Sequence, residues 1–224
     1  MFIRFLSAAI ISTFAGLTLS TAAPAQDTHA GHNHAKSTHA EQNAAADYIY
    51  TQSPDDHVIG AVDAPNTLIV YASVTCSHCA DWFSNQYPIL QTELINDGKM
   101  KMVFREFPTG PVEVSMAGFQ LANCAPDDKY FDVVQFQMEN QKETFDALGE
   151  GKAIERFLEI AKVAGISTQE EMFTCFDNKD GFERIELSMS RARAANLKGV
   201  PALILNGKIV DGPSDAASIA SLLP

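Results

Sequence analysis

Basic residues are scarce. Lys and Arg total 16 against 28 Asp and Glu in 224 residues, a formal net charge of −12. A binder of phosphate backbones needs a basic face, so this balance argues against nucleic acid as a partner. The six His cannot reverse the sign at neutral pH. Cysteine is also sparse, four in all, with a single C-x-x-C pair. A structural zinc site needs four ligands, which one such pair cannot supply. Long apolar runs are missing after the amino terminus, and nothing there approaches the roughly 20 residues needed to cross a bilayer. What remains, 46% hydrophobic and 20% charged, is ordinary for one globular domain with a real core.

The amino terminus is different. One positive charge, Arg4, precedes an apolar run over 5–19 that is broken only by small residues, and Ala23-Pro24-Ala25 follows. Charge, apolar stretch and small residues at the −3 and −1 positions predict a signal peptide over 1–25, cut after Ala25. The rival reading, a membrane anchor, needs a longer run. The expected location is therefore the periplasm, where disulfides persist. Residues 26–46 form a tether rich in Ala, His, Thr and Asn, with no apolar period, which cannot offset its ordering entropy. It carries His29, His32, His34 and His39. Clustered imidazoles bind transition metals. The preferred reading is a spacer of biased composition, because no Cys or carboxylate pattern completes a fixed site.

Folded sequence is expected from residue 47. An apolar run over 67–72 predicts a buried strand. A helix should follow from the C-x-x-C, with Cys79, Phe83, Leu90 and Leu94 on one side and a kink at Pro88. Residues 101–107 predict a second strand. Helical patterning then covers 114–123, 129–141, 153–164, 169–176 and 182–195. Strands at 201–205 and 208–210 flank Asn206-Gly207, a preferred pair for a type I′ hairpin turn. A short helix over 214–223 closes the chain.

The chemistry centres on Cys76-Ser77-His78-Cys79. A thiolate is the reactive form of cysteine. The first turn of a helix offers free N–H groups and the positive end of the dipole, which favour a thiolate at Cys76. His78 can add a donor or a positive charge beside it. Cys76, nearer the exposed end, is the expected attacking thiol, and Cys79, one turn in, the buried resolving thiol. A stabilised thiolate makes the dithiol stable and the disulfide a strong oxidant. An ordinary structural disulfide is a weaker reading, because so short a loop adds little chain-entropy stabilisation. Cys124 and Cys175 lie 51 positions apart, with no neighbouring His and no close second Cys. In an oxidising compartment they are expected to pair; two buried free thiols are the alternative.

From about Asp56 to its end the chain resembles the DsbA-like thiol:disulfide oxidoreductases of the thioredoxin superfamily. The resemblance rests on Asp63-Ala64-Pro65, Tyr71 to Cys79, Phe104-Arg105-Glu106-Phe107-Pro108, Gly199-Val200-Pro201-Ala202 and Asn206-Gly207-Lys208. It implies an α/β thioredoxin fold with an inserted helical subdomain. The thioredoxin-like part would take 47–111 and 181–224, and the insert 112–180. It implies that Cys76 and Cys79 are the active pair and that Pro201 is a cis-proline packed against them. Val200 would then offer its backbone to an extended client, with Ser77 as a further substrate contact. A second disulfide in the insert, which some relatives carry, would be Cys124–Cys175.

Two departures stand out. Ser77 replaces the proline usual between the cysteines. Val70 stands six residues before Cys76, where many relatives bury a glutamate. Glu106 is a candidate to move the Cys79 proton instead, although a carboxylate at a strand end is ordinarily exposed.

The expected activity is that of an exported dithiol oxidase acting on cysteine-containing clients. It needs no cofactor, works as a monomer and is reoxidised by a membrane-bound redox partner. The competing expectations are a periplasmic reductase or isomerase, and a metal-binding or metal-resistance protein built on the His tract.

Overall fold

The computed structural model describes residues 48–212 and 214–224. The expected signal peptide and tether, with His29, His32, His34 and His39, lie outside the described residues. Among the described residues no helix is long and apolar enough to cross a membrane.

Five strands form one mixed sheet in the order β1-β3-β2-β4-β5. They are β1 (His57–Ile59), β2 (Asn66–Ala72), β3 (Met100–Glu106), β4 (Ala202–Leu205) and β5 (Lys208–Ile209). The central pair β2 and β3 runs parallel, with Ala72 opposite Glu106. β4 returns antiparallel to β2, with Tyr71 opposite Ala202. β1 was not visible in the sequence, because three residues are too few to show a period of two.

Side chains of β2 alternate between two apolar cores, as a strand requires. Leu68, Val70 and Ala72 join Met102, Phe104, Leu203 and the residues around Cys79 and Phe83. Ile69 and Tyr71 join Val103, Ile204 and Ala192 on the other face. Both faces of the central strands are therefore covered, which explains the unbroken apolar run. Phe104 anchors the larger core, with Phe83, Tyr130 and Phe119 rings 5.8, 6.0 and 6.2 Å away. Each such buried aromatic contributes about 1.5–3 kcal/mol.

The β2–β3 crossover holds α1 (Ser77–Asn85), α2 (Tyr87–Leu90) and a π-helical turn (Gln91–Ile95). The sequence predicted one kinked helix. The structure instead breaks it at Gln86, just before Pro88, whose missing N–H cannot continue the ladder.

Between β3 and β4 lie α3 (Val112–Cys124), a 3₁₀ turn (Asp127–Lys129), α4 (Tyr130–Glu139), α5 (Gln141–Gly149), α6 (Ala153–Val163), α7 (Gln169–Phe176) and α8 (Lys179–Ala194). α7 starts on a capping box, in which the Thr168 hydroxyl accepts from the Glu171 N–H and the Glu171 carboxylate accepts from the Thr168 N–H. α5 went unpredicted: its polar, threonine-containing sequence shows little apolar period, and only Asn140 separates it from α4. The hairpin turn has positive φ at Asn206 (49°) and Gly207 (82°), as type I′ requires. The Asn206 side chain accepts from the Thr67 N–H and donates to Asn66, tying the turn to the start of β2. α9 (Ala216–Ser221) ends the chain.

Residues 48–56 are stapled to the sheet by charge. Arg105 pairs with Asp56 at 2.8 Å, both side chains at least 96% buried. Arg105 also donates to the Tyr71 hydroxyl and to the carbonyls of Ile49 and Thr51.

Candidate active site

β2 ends at Ala72 and the chain turns sharply into α1. The Cys76 N–H donates to the Ser73 carbonyl at 3.1 Å, closing the turn. Cys76 is the N-cap of α1, with extended backbone (φ −89°, ψ 118°). Its sulfur thus stands at the end where the helix presents unpaired N–H groups. Cys76 is half-buried, Ser77 and His78 are exposed, and Cys79 is fully buried. Both cysteines are free thiols.

Burial pushes the Cys79 thiol far above its ordinary range. The Ser73 N–H, donating to the Cys79 sulfur at 3.5 Å, opposes that shift, and the Cys76 thiol adds to it. A loop from the far end of the chain completes the site. The Cys76 thiol donates to the Val200 carbonyl at 3.5 Å, and the Val200–Pro201 bond is cis. The structure therefore brings together Cys76, Cys79, Val200 and Pro201, and leaves Ser77 and His78 on the outer side of the same turn.

Glu106 differs from the sequence expectation of an exposed strand end. It is 2% exposed, because Ala72 flanks it on β2 and α3, α4 and α8 close over it. Its carboxyl accepts from the Tyr130 hydroxyl (2.9 Å) and from Asn123 (3.0 Å). Desolvation raises its pKa, which those two bonds only partly oppose. The contacts of Glu106 are thus with the helical side of the sheet rather than with Cys79. Val70 is fully buried in the apolar core. Cys124 and Cys175 are bonded to each other, with Cα atoms 5.9 Å apart, tying the end of α3 to α7.

Several contacts around the site had no signal in the sequence. The Gln141 side chain, at the start of α5, donates to the Val74 carbonyl at 2.8 Å. Thr109, in the loop after β3, bonds both Ser73 and Thr75. A serine closing an apolar strand three residues before the first cysteine was the one local clue. The distant partners of that turn, Thr109 for Ser73 and Thr75 and Gln141 for Val74, lie 34 to 67 positions away and show only in three dimensions. Among the described residues no group of three or more His, Cys, Asp or Glu is arranged to hold a metal ion.

Comparison with known proteins adds to this geometry. A family model described as Thioredoxin matches residues 52–224. A Rickettsia bellii protein named as a protein-disulfide oxidoreductase is 26% identical over 153 residues, 68% of this chain and 58% of the relative. A Bacillus cereus protein named as disulfide bond formation protein D is 23% identical over 162 residues, 70% of this chain and 73% of the relative. The chain spans little more than half the length of the Rickettsia relatives it matches. Among solved structures, alpha-DsbA1 of Wolbachia pipientis superposes with a TM-score of 0.66 at 20% identity, covering 77% of this chain and 90% of that one. BdbD of Bacillus subtilis, in its oxidised form, gives 0.63 at 18% identity, covering 75% and 91%. These superpositions place the fold of the chain among DsbA-like structures.

Proposed function

Since the chain belongs to the thioredoxin family and carries the DsbA-like form of its fold, we propose that it is an exported thiol:disulfide oxidoreductase working as a dithiol oxidase. The observation that carries this reading is the unequal placement of two adjacent sulfurs. Cys76 is reachable at a helix N-cap, while Cys79 is sealed in the core one turn later.

In the oxidised enzyme a client thiolate attacks the Cys76 sulfur. The Cys76–Cys79 bond breaks and its electron pair leaves with Cys79. The client is then held to Cys76 by a mixed disulfide. A second client thiolate attacks the client sulfur of that bond, the client leaves with its own disulfide, and the enzyme leaves as a dithiol. Burial explains why Cys79 does not compete for clients. The Val200 backbone beside the Cys76 sulfur offers groups with which an extended client can pair as an added strand, a contact that reads few side chains. Ser77, exposed next to Cys76, borders the same approach.

A membrane-bound partner would return the dithiol to the disulfide. Export is supported by the leader-like pattern over 1–25 and by the Cys124–Cys175 bond, of a kind that forms and persists mainly in oxidising compartments. The direction is supported by the name of the Bacillus cereus relative. The site residues all come from one chain, so a monomer suffices for the reaction.

The test is to mix the oxidised protein with a reduced, unfolded ribonuclease and count thiols on both. Client thiols should vanish as enzyme thiols appear, pair for pair, and Cys76→Ser should do nothing. Client thiols that persist while the enzyme stays oxidised would refute the proposal.

A further inference from the structure

The reaction above has an awkward step. When an external thiolate attacks Cys76, the departing electron pair puts a full negative charge on Cys79, in the most desolvated position of the site. No charged side chain is in contact with that sulfur among the described residues. The contact it does have is a backbone donor, the Ser73 N–H at 3.5 Å.

Ser73 itself is completely buried and unusually well held. Its hydroxyl oxygen accepts from the Thr109 hydroxyl at 2.9 Å, from the Thr109 N–H at 3.2 Å and from the Thr75 N–H at 3.3 Å. The Thr75 hydroxyl lies 3.0 Å away on the remaining side. Thr75 and Thr109 also meet each other, hydroxyl to hydroxyl, at 2.9 Å. The Thr109 carbonyl accepts from Ser115 near the start of α3. Thr75 and Thr109, from two loops, thus converge on the Ser73 hydroxyl oxygen, and the same serine aims its N–H at the leaving sulfur. Ordinary packing between two loops does not need a buried cluster of this kind. Each hydroxyl there must be satisfied, and satisfied networks make a position rigid.

We propose that Ser73 is a positioning residue for catalysis: gripped by Thr75 and Thr109, it holds its backbone N–H where charge develops on the departing Cys79 sulfur. The inference rests on the redox reading of the Cys76–Cys79 pair. A donor fixed in advance at the site of developing charge lowers the barrier without reorganising as the charge appears. It occupies the role that a buried acid could serve, in a chain whose corresponding position is Val70.

The consequence is kinetic. Burial keeps the Cys79 thiol protonated at neutral pH, so the N–H meets a thiolate only while exchange is under way. Losing the aim of that donor should slow exchange and leave the equilibrium between disulfide and dithiol where it was. A merely structural role would move the equilibrium or the fold stability instead.

The experiment follows reduction of the Cys76–Cys79 disulfide by glutathione at neutral pH, by thiol trapping, in wild type, Ser73→Ala, Thr109→Val and Thr109→Ser. Ser73→Ala and Thr109→Val should slow reduction roughly tenfold, the value of one charge-assisted hydrogen bond. Their glutathione equilibrium constants should be unchanged. Thr109→Ser keeps the hydroxyl and should keep the wild-type rate. Thr109 is only half-buried, so its two variants carry the test if Ser73→Ala does not fold. Wild-type rates in Thr109→Val, or an equilibrium shift as large as the rate change, would overturn the inference. A wild-type disulfide that does not exchange with glutathione at all would instead overturn the redox reading itself.

Discussion

The Cys76 sulfur lies 3.5 Å from the Val200 carbonyl, although 124 positions separate the two residues in the chain. One sits where β2 gives way to α1, the other just before β4. The pairing of β4 with β2, Tyr71 opposite Ala202, is what sets them side by side. The reactive sulfur therefore rests against the loop that carries the cis Val200–Pro201 bond.

That arrangement assigns distinct roles to the two cysteines. In Cys79→Ser, the resolving sulfur is lost while Cys76 stays reachable. Its Cys76 thiolate, attacking disulfide-bonded client proteins, should accumulate mixed disulfides, each releasing one client thiol and visible as dithiothreitol-sensitive bands on a non-reducing gel. Cys76→Ser should accumulate none, because the sulfur that remains is buried. Equal accumulation in both variants would contradict the assignment.

The stability of the protein should fall in mild acid because of His57. Its ring stacks on Tyr130, with centroids 3.3 Å apart, and its Nε2 lies 3.1 Å from the Asn123 side-chain oxygen. Burial lowers its pKa from 6.5 to about 4. Above pH 6.5 the imidazole is neutral in both folded and unfolded chains. Between 6.5 and about 4 the unfolded chain takes up the proton and the folded one resists. Stability is therefore complete above 6.5 and drains away as the pH falls, by about 2 kcal/mol at pH 5. Glu106, raised by burial, works in the opposite sense, so the difference between wild type and His57→Gln is the quantity to read. Urea unfolding at pH 7 and pH 5 should show that difference shrinking at the lower pH.

Asp56 holds two buried guanidinium groups at once. It meets Arg105 at 2.8 Å and Arg191 at 3.4 Å, with all three side chains nearly inaccessible. Asp56→Ala would leave Arg105 buried without its counter-ion and Arg191 with only Asp55, 4.0 Å away. The expected loss is about 3–5 kcal/mol, the usual consequence of removing one partner from a buried pair. Urea denaturation should show it as a lower midpoint, and the rate of glutathione exchange at Cys76 should change little.

The Cys124–Cys175 bond closes a loop across 51 positions. The chain-entropy argument gives it about 4 kcal/mol of stabilisation. Replacing both cysteines by serine should lower the melting temperature by a corresponding amount and leave the Cys76–Cys79 equilibrium nearly as it was. A double variant as stable as wild type would show that the bond contributes nothing to the fold.

How far the sequence could be read depended on how local each signal was. The run from Leu68 to Tyr71 announced a strand covered on both faces, and Asn206-Gly207 announced its turn, because both signals sit within a few residues. The C-x-x-C pair was equally plain, and its position after a strand pointed to the end of a helix. Glu106 was misjudged because its burial comes from Tyr130, Asn123 and the helices that carry them, and strand patterning knows nothing of those neighbours. β1 was too short to show a period, and α5 too polar. Ser73, Thr109 and Gln141 escaped notice for a related reason. Each is an unremarkable polar residue until distant loops are brought against the turn that holds Cys76.

The central claim is that Cys76 and Cys79 form an oxidising pair, and its most direct measurement is their equilibrium with glutathione, read by thiol trapping across a series of reduced-to-oxidised ratios. The account predicts that the dithiol prevails even in oxidising mixtures, with a reduction potential more positive than about −200 mV. A pair that remains a disulfide until strongly reducing conditions, with a potential near −270 mV, would mark a reductase and contradict the account.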